Sequence, residues 1–223
     1  IFFLGISMSR IGNAQNPKKC FDYLNHLASK IQYTEGIGME VWYSDYLYFN
    51  SIETANTLRD RFLGQMTSHK NAFMNLLRKD RRWTFKAFSF KTFGQILLEN
   101  SDVYPPVYDA VQKLYKKDAA FRKYVAEDCA AAGHEAGEAA VNFILQEIAM
   151  FYLSQKGPFR LNNKFVTDTE KTWTLLAYPG KPLKSEIYLF KKNPLKFSNP
   201  KNIYQNCYYD LEEGNRQFLK KYY

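Results

Sequence analysis

Histidine and cysteine are scarce, with three of each in 223 residues. Cys20, Cys129 and Cys207 stand apart without CxxC spacing, which argues against structural zinc and against a disulfide framework. Isolated thiols fit a reducing compartment, so a cytoplasmic protein is expected. No apolar stretch reaches about 18 residues, so no helix is expected to span a membrane. The start lacks the basic n-region and cleavage site of a signal peptide. It opens directly in a strand, which predicts a further segment ahead of Ile1. His26, His69 and His134 fall in segments read as helices or helix starts, remote from the strand ends, and GxSxG is absent. Both facts count against a Ser-His-Asp hydrolase. No repeat and no linker divides the chain, so residues 1–223 are read as a single domain, with no metal or cofactor called for.

Aromatic residues and positive charge are plentiful: 17 Tyr, 18 Phe and a net charge of +9. The pattern alternates between strands and helices in the α/β manner. Ile1 to Ile6 is an apolar run read as a buried parallel strand, and Gly12 to Pro17 as a loop. Lys18 to Gln32 reads as a helix, Met39 to Ser44 as a strand and Ser51 to Lys79 as a long helix. Trp83 to Phe90 is read as a third strand, Val107 to about Ala132 as a helix opened by Pro105-Pro106, and Glu135 to Leu153 as another. Trp173 to Tyr178 reads as a central strand and Ile187 to Phe190 as one more. The basic, aromatic tail from Lys191 reads as loops and a short terminal helix.

Ser7 ends the first strand, and in open α/β sheets ligands bind at the carboxyl ends of strands. A serine there can act as nucleophile or ligand-binding group, or simply cap a turn. Glu147 stands in the apolar segment Asn142-Phe143-Ile144-Leu145-Gln146-Glu147-Ile148-Ala149-Met150, four residues after Phe143 and on its face. A carboxylate among apolar neighbours is costly unless paired or functional, and burial would raise its pKa toward the range useful for proton transfer. The alternative is a glutamate facing solvent between two buried stripes. Tyr178 ends its strand as Ser7 ends the first, which places both in one layer; alone it reads as a rim tyrosine.

Between Arg59 and Lys91 lie nine basic residues opposed only by Asp60 and Asp80. Leu58, Phe62, Met66, Phe73, Leu76 and Leu77 would form the apolar stripe of that helix, leaving Lys70, Arg78, Lys79, Arg81 and Arg82 exposed. This is either a solvated face or a footprint for nucleic-acid phosphates.

Taken together, Gly5-Ile6-Ser7 after an apolar strand, Asn142-Phe143 followed by Glu147 on a late helix, and Leu176-Ala177-Tyr178-Pro179 after a late strand resemble the cyclodipeptide synthases. The order and separation agree over nearly the whole chain. The resemblance implies a Rossmann-type parallel sheet flanked by helices, like the catalytic domain of class I tyrosyl- and tryptophanyl-tRNA synthetases. The HIGH and KMSKS signatures of those enzymes are absent. It also implies a monomer that takes two aminoacyl-tRNAs per cycle and joins their amino acids into a diketopiperazine.

Ser7 would then carry an aminoacyl ester, attacked by the amine of the second aminoacyl-tRNA to give a dipeptidyl-enzyme whose free amine closes the ring. Glu147 would hold the ammonium and pass protons; Tyr178 would position Ser7 or relay a proton. Gly5, Phe3, Asn142, Phe143, Met150 and Leu176, with Leu4, would frame an apolar pocket, though some of these side chains are expected to be plain core. The chain departs from the family in two places. Phe143 stands where many members have a tyrosine, so amine binding falls more heavily on Glu147. Arg10 stands where one branch has Asn, and Tyr178-Pro179 matches the other branch. The competing readings are a non-catalytic tRNA- or RNA-binding domain of synthetase-like fold, and an unrelated serine acyltransferase or esterase.

Overall fold

The computed structural model describes residues 2–8, 10–13, 15–28, 39–44, 56–81, 89–133, 137–156, 160–161, 164–165, 175–178, 183–192 and 205–208. Its centre is a five-stranded parallel sheet built from β1 (Phe2–Ile6), β2 (Met39–Tyr43), β3 (Ser89–Thr92), β6 (Leu175–Tyr178) and β7 (Gln205–Tyr208). The strand order is β3-β2-β1-β6-β7, so the chain winds outward from β1 in one direction, then returns past it and winds in the other. That is the doubly wound, Rossmann-type arrangement. A separate two-stranded antiparallel pair joins β4 (Arg160–Leu161) to β5 (Lys164–Phe165). The helices are α1 (Pro17–Ala28), α2 (Asn56–Lys79), α3 (Phe93–Glu99), α4 (Tyr104–Lys117), α5 (Ala119–Ala131), α6 (Glu138–Lys156) and α7 (Lys184–Lys192).

The sheet divides the core in two. Every residue of β2 is buried, as expected for a parallel strand covered on both faces. Met39, Val41 and Tyr43 join Leu4 and Ile6 of β1 in a cluster with Leu24 of α1 and with Phe62, Phe73 and Leu77 of α2. Trp42 points the other way, into a second cluster formed with α3 to α7. Strand alternation therefore puts Gly5, and with it position 7, on the face of the second cluster.

Local chemistry sets the element ends. Asn16 caps α1, its Oδ1 accepting the Lys19 amide at 3.0 Å, with Pro17 as first helical residue. Thr92 and Gln95 form a reciprocal capping box that turns β3 directly into α3, a seven-residue helix the sequence did not signal. The single helix expected from Val107 to Ala132 is two. Asp118 adopts an extended backbone and its Oδ1 takes the amides of Ala120 and Phe121 at 2.9 and 3.0 Å, so one helix stops and the next starts. Gly133, at φ 77°, supplies the left-handed turn after α5.

Two other expectations are overturned. Ile187 to Phe190 is not a strand but the middle of α7, although its residues favour strands. The cause is tertiary: Asp128 of α5 receives the backbone amides of Lys184 and Ser185, both at 2.9 Å, together with the Ser185 hydroxyl, and this starts a helix there. The tail holds strand β7, paired along β6 from Leu175↔Gln205 to Tyr178↔Tyr208. Its polar residues Gln205 and Asn206 hid it, because an edge strand needs no apolar run on both faces. The terminal helix expected beyond it lies outside the described residues. No helix among the described residues is long and apolar enough to cross a membrane.

Candidate active site

The strand order reverses between β1 and β6, and a crevice opens at such a switch point, outside the carboxyl ends of the two strands. Ser7 follows β1 directly and Tyr178 is the last residue of β6. The pairing Leu4↔Ala177 puts Tyr178 level with Gly5, two residues before Ser7. The backbone thus brings both sequence-predicted residues to the two lips of one crevice. The side chains of Tyr178, Phe3 and Leu176 lie outside the described set.

Ser7 is partly buried and begins a tightly bonded turn. Its carbonyl accepts the Arg10 amide at 3.0 Å, and the Arg10 carbonyl accepts the amides of Asn13 and Gln15 at 3.1 and 3.0 Å. The Ser7 amide donates to Oε1 of Gln15 at 2.6 Å. Gln15 is fully buried, and its carbonyl is bonded by His69 Nε2 at 2.9 Å and by Cys20 Sγ at 3.3 Å. His69 Nδ1 in turn lies 2.9 Å from the Tyr43 hydroxyl at the end of β2. His69 is therefore not remote from the strand ends, as its place in a helix suggested. It occupies the gap in the apolar stripe of α2, between Phe62 and Phe73, and faces inward beside the Ser7 loop.

Glu147 projects from α6 and is partly buried. Burial pushes its carboxyl up to about 7; Arg10, from the Ser7 loop, draws it down and Asp128 raises it. Those two influences place the Ser7 loop and the α5–α7 cap within electrostatic reach of Glu147. A carboxyl near 7 is half ionised at neutral pH, poised either to take a proton from an ammonium or to return one. Asp128 was missed from sequence: nothing in its helix marks it, and its ligands lie 56 and 57 residues away.

The residues expected to frame a pocket separate into two groups. Gly5, Asn142 and Phe143 are partly exposed, and Phe143 packs at the edge of the second core cluster. Met150 is fully buried in that cluster and Leu4 in the first, so both are packing residues in this structure. On α2, Lys70, Arg78 and Lys79 are exposed, as is Arg81 just beyond its end; Arg82 lies outside the described set. Lys70 Nζ sits 5.3 Å from the centre of the Phe90 ring. Lys91 departs from the basic surface: it is buried in an ion pair with Glu99 at 2.5 Å. Among the described residues no cluster of His, Cys, Asp and Glu could hold a metal ion.

No family model and no curated protein matches the sequence. Solved structures do. AlbC, a cyclodipeptide synthase from Streptomyces noursei, superposes with a TM-score of 0.53 at 14% identity, covering 95% of this chain and 96% of that one. A cyclodipeptide synthase from Staphylococcus haemolyticus gives 0.54 at 13% identity, covering 92% and 88%. A Mycobacterium tuberculosis protein, whose structure relates cyclodipeptide synthetases to type I tRNA synthetases, gives 0.54 at 12% identity over 92% and 83%. Over more than nine tenths of its length, this chain has the fold of the cyclodipeptide synthases.

Proposed function

We propose that the protein is an aminoacyltransferase of the cyclodipeptide synthase type, making a cyclic dipeptide from two aminoacyl-tRNAs. The observation that carries this reading is the electrostatic link between Arg10, on the loop that Ser7 begins, and Glu147. A strand-end serine at the switch point lies on a loop whose Arg10 acts on a carboxyl held near 7. A binding module of the same fold would need neither group. Full-length likeness to several cyclodipeptide synthases supports the same reading.

In the first half-reaction the Ser7 hydroxyl attacks the ester carbonyl of one aminoacyl-tRNA. The Ser7 proton passes to the departing 3′ oxygen of the tRNA, leaving an aminoacyl ester on Ser7. Only one direction of attack can then give a dipeptidyl-enzyme. An incoming amine attacking the Ser7 ester would release Ser7, contrary to the expectation drawn from the sequence. The amine already on the enzyme must instead attack the ester of the second aminoacyl-tRNA, and the second tRNA leaves. The new terminal amine then attacks the Ser7 ester, closes the six-membered ring and frees Ser7. Each amine must lose a proton, and Glu147 is the group whose proton affinity suits that transfer. Tyr178, at the opposite lip, is assigned the orientation of Ser7 or of the leaving oxygen.

The exposed basic residues of α2 are assigned to the tRNA backbone, and would serve equally in a non-catalytic RNA-binding domain. Mass spectrometry of medium from bacteria expressing the chain separates the two. A new diketopiperazine that disappears with Ser7→Ala supports the synthase; tight tRNA binding without product supports the binding domain.

A further inference from the structure

We propose that Gln15, His69 and Tyr43 form a relay of positioning residues that fixes the backbone at Ser7. None of the three lies in the catalytic constellation described above. The proposal deepens the reading of Ser7 as the nucleophile and rests on it for its kinetic consequence.

The hydrogen bonds admit one reading of the protons. The Gln15 carbonyl can only accept, so His69 Nε2, 2.9 Å away, must carry the hydrogen. His69 Nδ1 is then an acceptor, and the Tyr43 hydroxyl 2.9 Å from it is the donor. The chain of donation runs from Tyr43 to His69 to the Gln15 carbonyl. From the same residue, Gln15 Oε1 receives the amide of Ser7 at 2.6 Å. Two members are anchored by buried elements: Tyr43, in the first core cluster, by the last position of β2, and His69 by the buried stripe of α2. Rings restrain the middle, with Tyr43 edge-on to His69 at 5.6 Å, Phe73 at 5.9 Å from His69, and Phe90 stacked on Tyr43 at 6.3 Å. The Cys20 thiol adds a second bond to the Gln15 carbonyl.

This arrangement does what a nucleophile needs. A serine beyond the last ladder bond of a strand is free to sample several backbone conformations, and attack requires one of them. Gln15 removes that freedom by binding the Ser7 amide, and His69 holds Gln15 by its backbone. A merely structural histidine would stabilise α2 against β2 without regard to residues 7–11.

Hydrogen exchange read by mass spectrometry tests the ordering without any substrate, in the full chain. The variants are His69→Leu, which removes both bonds, Tyr43→Phe, which removes only the last donor, and His69→Gln, which keeps an N–H for the Gln15 carbonyl. The relay predicts faster exchange across residues 7–11 in His69→Leu, with α4 and α6 unchanged. Tyr43→Phe should give a smaller increase, and His69→Gln should restore much of the protection. Acylation of Ser7 should slow with the same ranking while KM for aminoacyl-tRNA holds, by about tenfold or more for His69→Leu, since an ångström of misplacement can cost about 10²-fold. Exchange at residues 7–11 that matches the wild type, or that rises only together with α4 and α6, overturns the relay. If the wild type forms no acyl-enzyme at all, the assignment of Ser7 as nucleophile fails, and the exchange pattern still decides whether the relay exists.

Discussion

Glu147 has its carboxyl held near 7 by burial, with Asp128 raising it and Arg10 opposing. If Glu147 acts on the attacking amine as a base, product formation should rise with pH through an apparent pKa near 7, and the limb should vanish in Glu147→Gln along with about 10²-fold or more of the rate. Asp128→Asn should move that limb to lower pH, because a negative charge that raises the Glu147 pKa is gone. A pH–rate profile of each variant checks both. Ser7 and Glu147 stood out as candidates in the sequence because one ends an apolar run and the other interrupts one, where a polar group demands a reason. His69 and Asp128 were not legible. Their partners lie 26 to 57 residues away, and a histidine within an amphipathic helix looks the same whether it faces water or the core.

Among the elements, α2 presents two contrasting faces. Phe62, His69, Phe73 and Leu77 point inward, while Arg61, Lys70, Arg78 and Lys79 are exposed. If the outer face holds tRNA phosphates, replacing Lys70, Arg78, Lys79 and Arg81 by Ala should weaken all aminoacyl-tRNAs alike. The salt dependence of binding should also flatten, by roughly 0.7 to 0.9 in slope per lost phosphate contact. Tritration at two salt concentrations reads this directly, and an unchanged slope would make the face a solvated one. Helix α7 depends on a distant residue for its start. Asp128→Ala removes the acceptor for Lys184 and Ser185 and should cost about 1 to 2 kcal/mol, measurable by urea unfolding. The strands and the long helices were readable from periodicity, which local sequence carries. The fate of Ile187–Phe190 and the break at Asp118 were not, because a cap supplied from elsewhere, or a single side chain turning back on the backbone, decides them.

At the scale of the whole molecule, two buried groups set opposing dependences of stability on pH. His69 is held neutral by burial, its pKa lowered from 6.5 to about 4. Between those values the unfolded chain binds the extra proton, so this group makes the protein lose stability as pH falls, by up to about 3 kcal/mol. Glu147 is raised from 4.5 to about 7, so between those values the folded chain keeps the extra proton. Its contribution runs the other way: stability is lost as pH rises, by a similar amount. From about 4.5 to 6.5 the two slopes offset each other. Glu147→Gln should therefore raise Tm above pH 7 and expose the acid sensitivity due to His69, whereas His69→Gln should leave a protein that weakens as pH rises toward 7. Thermal melts across pH 4 to 8 would show whether the variants bend in opposite directions.

The same doubly wound sheet brings residues 7 and 178 to adjacent strand ends. The order β3-β2-β1-β6-β7 brings the first strand beside one that follows about 170 residues later, and their carboxyl ends form the crevice. The proposed reaction depends most directly on Ser7 as the group that carries the amino acid. Purified protein mixed with aminoacyl-tRNA and quenched within a turnover should gain the mass of one aminoacyl residue, located at Ser7 by peptide mapping and absent in a folded Ser7→Ala variant. An adduct of equal yield on the Ala variant, or product released with no adduct at Ser7, would contradict it.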